Sequence, residues 1–189
     1  MHADARTIKV GRYLPPQIRI PAAACMNTGF RVVPLDHRSV STAQQIHAVQ
    51  MLAYAREAAL LGAVYFPPLT RTVQDVGSSD EHFLGAFARD ELVGAASVWP
   101  DEDGVGLNIA SLVVVPSWQR QGAGTSLIGA VVALYGSGEL TVQTGVKNLP
   151  ALRLYARHGF IEVRRWFAGR EPIELIKLRR PGAGPQHAA

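Results

Sequence analysis

Between Phe83 and Val115 the chain runs through three apolar stretches with almost nothing between them. Phe83–Ala88, Leu92–Trp99 and Val105–Val115 are separated only by Arg89-Asp90-Glu91 and by Asp101-Glu102-Asp103-Gly104. Charged, turn-forming links this short reverse the chain, so the three strands must run antiparallel. Leu112–Val115 is apolar at consecutive positions, which asks for cover on both faces of that strand. Pro116 ends it, and the pattern then changes. A helix is predicted over about Gln121–Tyr135, a strand over Leu140–Val146 and a helix over Leu149–His158. Strands follow at Phe160–Phe167 and Ile173–Leu178. A strand, a helix and a strand in succession favour a parallel pair with a right-handed crossover. The chain is thereby held to an α/β (α+β) fold with a mixed, mostly antiparallel sheet.

Upstream, Phe30–Leu35 reads as a first strand, which brings the sheet to six or seven strands. A long helix over about Thr42–Leu61 follows, with Ile46, Val49, Ala53 and Leu60 at helical spacing and Gly62 as its stop. Ser41 and Gln44 are spaced as a capping box. After the Phe66-Pro67-Pro68-Leu69 break, a short helix near Arg71–Val76 makes about four helices in all. Residues 1–29, with Pro15, Pro16 and Pro21, read as a poorly structured arm, and Met26 as a natural domain start. Residues 30–180 read as one domain, and 181–189, rich in Gly, Pro and Ala, as a flexible tail.

Composition narrows the class. The chain has 189 residues, is 48% hydrophobic and 18% charged, and carries a formal charge of +4. These values fit one globular domain. No apolar run reaches membrane-spanning length, and no signal-peptide pattern is present, so a cytoplasmic protein without membrane contact is expected. The lone Cys25 forms neither an internal disulfide nor a zinc site, and no metal is expected. The excess charge sits largely at Arg164, Arg165, Lys177, Arg179 and Arg180 and contains no long basic run. Nucleic acid is not expected as a partner, whereas an anionic small ligand accounts for the charge equally well.

Two segments carry chemistry. Gln119-Arg120-Gln121-Gly122-Ala123-Gly124-Thr125 links a strand to a helix. A helix start offers unpartnered N–H groups and partial positive charge, and glycines let the backbone approach an anion closely. Arg120, Gln119 and the Thr125 hydroxyl add donors. Read alone, the segment fits either an anion cradle or a packing turn. It lacks the Lys-Ser/Thr of a phosphate-binding P-loop and the third glycine of a dinucleotide fingerprint. In Asn148–Phe160, Asn148 suits a helix N-cap and Pro150 the first turn. Ala151, Leu154, Tyr155 and His158 share one face, and Gly159 closes the helix. Taken alone, Tyr155 reads as a half-buried aromatic.

Together the two segments resemble a known pair. Val114-x-Pro116-x-x-Gln119-x-x-Gly122-x-Gly124 is similar to the acetyl-CoA motif of the GNAT superfamily of N-acetyltransferases. Asn148-x-x-Ala151-x-x-x-Tyr155-x-x-x-Gly159-Phe160 resembles its partner motif, at a spacing that fits one helix and one strand. The resemblance implies a sheet splayed at the acyl-CoA site. It implies that the backbone of Gln121, Gly122, Ala123, Gly124 and Thr125 holds the pyrophosphate. Leu112, Val113 and Val114 would pair with the pantetheine arm as an added strand. Asn148, beside Ala151, would contact the pantetheine or fix the helix start. Tyr155 is implied as the general acid that protonates the departing thiolate, the amine attacking directly.

The general base is not implied as readily. Many relatives place a glutamate on the strand before Pro116, where this chain has Ala110 and Ser111. Water relayed by Asn108, Ser111 or Thr144 is one alternative, and Glu81 or His82 another. The acceptor pocket, built in this fold by the first helix, the loop after it and the last hairpin, would draw on Tyr54, Glu57, Tyr65, Phe66, Trp166, Phe167 and Arg170. Aromatic residues with few acids suggest a small amine, with amino sugars among the candidates. The expected function is acetyl transfer from acetyl-CoA to a small-molecule primary amine, by a monomer or homodimer. The alternatives are a protein N-terminal or lysine acetyltransferase and a non-catalytic acyl-CoA-binding module.

Overall fold

The computed structural model describes residues 29–101, 106–169 and 172–182. Nearly all of the expected arm, with Cys25, then Arg170 and nearly all of the expected tail lie outside the described residues. Among the described residues, seven strands form one sheet in the order β1-β2-β3-β4-β5-β7-β6. They are β1 (Arg31–Leu35), β2 (His82–Ala88), β3 (Glu91–Pro100), β4 (Leu107–Val114), β5 (Leu140–Gly145), β6 (Ile161–Ala168) and β7 (Ile173–Arg180). Four α-helices accompany them among the described residues: α1 (Val40–Leu61), α2 (Val73–Ser78), α3 (Ala123–Tyr135) and α4 (Leu149–Arg157). Every adjacent pair is antiparallel except β4 and β5, which are parallel around the α3 crossover.

The sheet is covered on both faces, as the apolar run in β4 requires. Val113 packs with Ile46, Val49, Ala53 and Tyr54 of α1 and with Val76 of α2. Its neighbour Val114 joins Leu127, Ile128 and Val131 of α3 and Tyr155 of α4 on the opposite face. Successive strand residues point to opposite faces, so β4 is the central wall between two cores.

Local signals hold with two exceptions in α1: Leu60, expected on its apolar face, is exposed while Leu61 is buried, and the helix start is displaced. Gly62 adopts φ 71° and closes α1, its N–H reaching the Ala58 and Ala59 carbonyls. The Ser41–Gln44 capping box does not form. The helix begins one residue after Ser39, which is the N-cap, and Ser41 already lies in the first turn, its hydroxyl 3.1 Å from that of Ser39. A capping box stands instead at α2. The Asp75 N–H donates to Thr72 Oγ1 at 3.1 Å and the Thr72 N–H to Asp75 Oδ2 at 2.8 Å.

Candidate active site

The site begins where two strands part. β4 and β5 pair only at Leu107↔Leu140, Asn108↔Thr141 and Ile109↔Val142. Immediately past that point β4 carries a bulge: Ser97 of β3 faces Ser111 and Val98 faces Ile109, so Ala110 is the extra residue. A bulge bends the strand that holds it and ends local pairing. From Ala110 to Val114 the edge of β4 towards β5 is therefore without a strand partner, while its other edge stays bonded to β3.

Below this opening lies the start of α3. Arg120 at φ 62° and Gly122 at φ 104° twist the chain into the helix. A side chain at Gly122 would be strained in that conformation. The first-turn amides of Ala123, Gly124 and Thr125 lack intrahelical partners and lie at the positive end of the helix dipole. Arg120, Gln121 and Thr125 are exposed around them. Gln119 braces the loop, its amide donating to the Val114 carbonyl at 3.0 Å. Gln121 does the same to Ser117 at 2.8 Å.

Above the bulge the parted strands open into a cavity of about 930 Å³. Its walls include Leu112 and Ser111 of β4, Thr144 and Gly145 of β5, Asn148, Ala151 and Tyr155 of α4 and Tyr54 and Glu57 of α1. Tyr65 and Phe66 line it from the loop after α1, and Ala168 and Ile173 from the β6–β7 hairpin.

These features coincide with a known family. The family model described as Acetyltransferase (GNAT) family matches residues 49–160, more than half of the chain. The chain belongs to that family. A curated relative, UPF0157 protein YqkA of Bacillus subtilis (strain 168), is 34% identical over 127 residues, or 67% of this chain. The chain spans only 36% of that relative's length. Among solved structures, the Escherichia coli ribosomal-protein-S18-alanine N-acetyltransferase is similar in fold, with a TM-score of 0.64 at 16% identity, 85% of this chain and 99% of that one being covered. The putative acetyltransferase yncA of Salmonella typhimurium, solved with its cofactor acetyl-CoA, has a TM-score of 0.65 at 14% identity, covering 85% and 96%.

The cofactor of this GNAT domain is acetyl-CoA, and the residues present fit it. The free edge of β4 suits an extended amide-containing arm, and the amides at the start of α3 suit a pyrophosphate. Of the residues singled out from the sequence, Leu112, Asn148, Ala151 and Tyr155 line the cavity. Val113 and Val114 belong to the same free strand edge, their side chains turned into the two cores. Gln119, Arg120, Gln121, Gly122, Ala123, Gly124 and Thr125 form the loop and helix start beneath.

On the acceptor side, Tyr54, Glu57, Tyr65 and Phe66 line the cavity, but Trp166 does not. Trp166 sits on the outermost strand, β6, with the Arg164 guanidinium 4.8 Å above its ring. Phe167, also on β6, is largely exposed and outside the lining. Of the candidates for base or relay, Ser111 and Thr144 reach the cavity. Asn108 accepts from Thr141 at 3.4 Å in the paired part of the sheet, Glu81 is bound to Arg71 at 2.8 Å, and His82 opens β2.

The polar atoms of the cavity form one cluster around Glu57. Asn148 caps α4, its Oδ1 accepting from the Ala151 N–H at 3.3 Å, which turns its NH₂ towards Glu57. That NH₂ donates to Glu57 Oε1 at 3.0 Å, and the Thr144 hydroxyl donates to the same oxygen at 3.4 Å. A Cβ at Gly145 would run into the Leu61 side chain, so glycine there lets the last turn of α1 lie on β5. Burial raises the Glu57 carboxyl above its ordinary value, only partly offset by the bonds from Asn148 and Thr144. The buried Tyr155 phenol is raised as well, first by desolvation and then by the charges of Glu57 and Tyr54. Tyr54 is pushed up to about 12, mainly by burial and against a hydrogen bond with Ser111. The sequence named Glu57 as a pocket residue; it carried no sign that this side chain joins Thr144 and Asn148.

Proposed function

We propose that this chain transfers the acetyl group of acetyl-CoA to the primary amine of a small molecule by direct attack. The observation that carries the reading is the cavity at the parted strands, where a free β4 edge, Tyr155 and the Glu57 cluster meet. Bound acetyl-CoA supplies an activated thioester carbonyl. The chain's own residues do the rest. Ala123, Gly124 and Thr125 amides, with Arg120, hold the diphosphate. The edge of β4 aligns the pantetheine arm as an added strand. Asn148 holds the start of α4, which fixes Tyr155. Tyr155, kept neutral by burial, holds the proton that the departing sulfur needs. Tyr54, Tyr65 and Phe66 exclude water and pack against the body of the acceptor.

The test is thiol release from acetyl-CoA over a panel of aromatic, aliphatic and sugar amines, with alanine-initiated peptides as a separate arm. The peptide arm is included because the Escherichia coli neighbour acts on a ribosomal-protein alanine. Turnover confined to small amines supports the reading, and turnover confined to peptides overturns it. Tyr155→Phe is expected to lower kcat by ~100- to 1,000-fold while acetyl-CoA affinity stays within a few fold. Unchanged turnover removes Tyr155 as the acid.

A further inference from the structure

We infer that Glu57 is the group that receives the acceptor's ammonium, first as its anchor and then as its proton acceptor. The inference rests on the acetyl-transfer reading above and concerns the same cavity. Three observations carry it. Glu57 supplies the sole formally charged side chain among the described lining residues; the other titratable groups of the wall are the phenols of Tyr54, Tyr65 and Tyr155. Both hydrogen bonds to its carboxylate, from Asn148 and Thr144, fall on Oε1. Oε2 is left to meet a ligand, with the carboxylate plane already fixed. Among the described residues, the groups that interact with it are Tyr54 of α1, Thr144 of β5, the α4 cap Asn148 and Tyr155 of α4, none of which is a cation. A partly desolvated carboxylate without a cationic partner is costly. A substrate ammonium on Oε2 relieves that cost and is recognised by it.

The step balances. Oε2 takes one proton from R–NH₃⁺, leaving R–NH₂. The amine nitrogen bonds to the thioester carbonyl carbon as the C–S bond breaks. Tyr155 gives its proton to the sulfur and regains one from the newly acylated nitrogen. Glu57 then releases its proton to solvent. The two proton transfers help each other: the charge of Glu57 is one of the influences that keep the proton on Tyr155. When Glu57 is neutralised by the ammonium's proton, Tyr155 becomes the stronger acid as the sulfur departs. The substrate class follows from the same walls. With Tyr54, Tyr65, Phe66, Leu61 and Ile173 around the single carboxylate of the described lining, the acceptor is an amine with one positive charge and an apolar or aromatic body.

The test uses the full chain, with phenethylamine as probe and 2-phenylethanol as its neutral counterpart. In the presence of coenzyme A, Glu57→Gln is expected to weaken phenethylamine binding by ~10- to 100-fold, the effect of removing a charged hydrogen-bond partner. Binding of 2-phenylethanol is expected not to change. With acetyl-CoA, kcat for phenethylamine is expected to fall by ~100- to 10,000-fold, with acetyl-CoA affinity kept. Glu57→Asp, which retains the charge but retracts it, is expected to recover much of the amine binding and less of kcat. Equal amine affinity in wild type and Glu57→Gln overturns the inference, as does equal turnover. If the wild type acetylates small amines and Glu57→Gln does so as fast, the acetyl-transfer reading stands and only the role of Glu57 falls. If the wild type binds no ammonium probe and acetylates peptides alone, both fall.

Discussion

Two carboxylates lean on the same strand, and they live in opposite circumstances. Asp101 accepts from Thr141 Oγ1 at 3.0 Å and from Lys177 Nζ at 2.9 and 3.2 Å. It ties the end of β3 to β5 and β7 where β4 and β5 are still paired. Glu57 accepts from Thr144, three residues further along β5, beyond the last paired position. It has an amide where Asp101 has an ammonium. One carboxylate is satisfied by the protein and fastens the closed end of the sheet. The other is oriented by the protein and meets no cation among the described residues, at the open end. A paired buried charge is structure, and an oriented, unpaired one is an invitation to a cationic ligand.

The comparison breaks most severely if Glu57→Gln keeps its activity. The expected outcome is the ~100- to 10,000-fold loss of kcat stated above, with no loss of thermal stability, read by thiol release and by melting. Asp101→Asn is expected to do the reverse. It leaves Lys177, whose side chain is 15% exposed, with no full counter-charge. The expected cost is about 2–4 kcal/mol, below the largest buried-pair values because Lys177 keeps some water, and Tm should fall by roughly 5–10 °C. The kcat of the folded protein should stay within about threefold.

Paired threonines sharpen the contrast. Thr141→Val is expected to lower stability by about 1–2 kcal/mol, since it removes a donor from a buried carboxylate. Thr144→Val should cost less stability and instead lower acceptor kcat a few fold, by loosening Glu57. Denaturant melts and steady-state kinetics on the same preparations separate the two.

The smallest effect is one of pH. The folded Glu57 carboxyl is raised above 4.5, so the folded state binds its proton more tightly than the unfolded chain does. The resulting stability is full below about pH 4.5 and is lost as pH rises through the folded value. The wild type should therefore lose ground to Glu57→Gln as pH climbs from about 4.5 towards neutrality. A difference of the opposite sign in melts over that range would mean that Glu57 is neutralised by the protein after all.

What could be read in the sequence was what is local. The α3 loop and the α4 face announce themselves within a dozen residues, through Gly122, Gly124, the Asn148 cap and the i, i+3, i+4 spacing up to Tyr155. The antiparallel meander follows from the shortness of its links. The Glu57 cluster is different. Its bonds join residues 87 and 91 positions apart, from α1 to β5 and to the α4 cap. No local pattern marks such a contact. The bulge at Ala110 likewise depends on cross-strand register, which the apolar run from Leu112 to Val115 does not encode by itself. Trp166 was expected from the last hairpin, and that hairpin does reach the cavity, but through Ala168, Gly169 and Ile173; Trp166 lies further back on the outer strand β6, under Arg164. At the start of α1, Ser39 and Ser41 are both eligible caps, and the spacing to Gln44 favoured Ser41 where the helix starts after Ser39.

The most direct test of the account is calorimetric titration of the full chain with acetyl-CoA. A single site of micromolar affinity is expected, kept in Glu57→Gln and weakened by at least tenfold in Arg120→Glu, which places a negative charge beside the first-turn amides of α3. No binding by the wild type, or binding untouched by the reversed charge at Arg120, would contradict the placement of the cofactor at the parted strands.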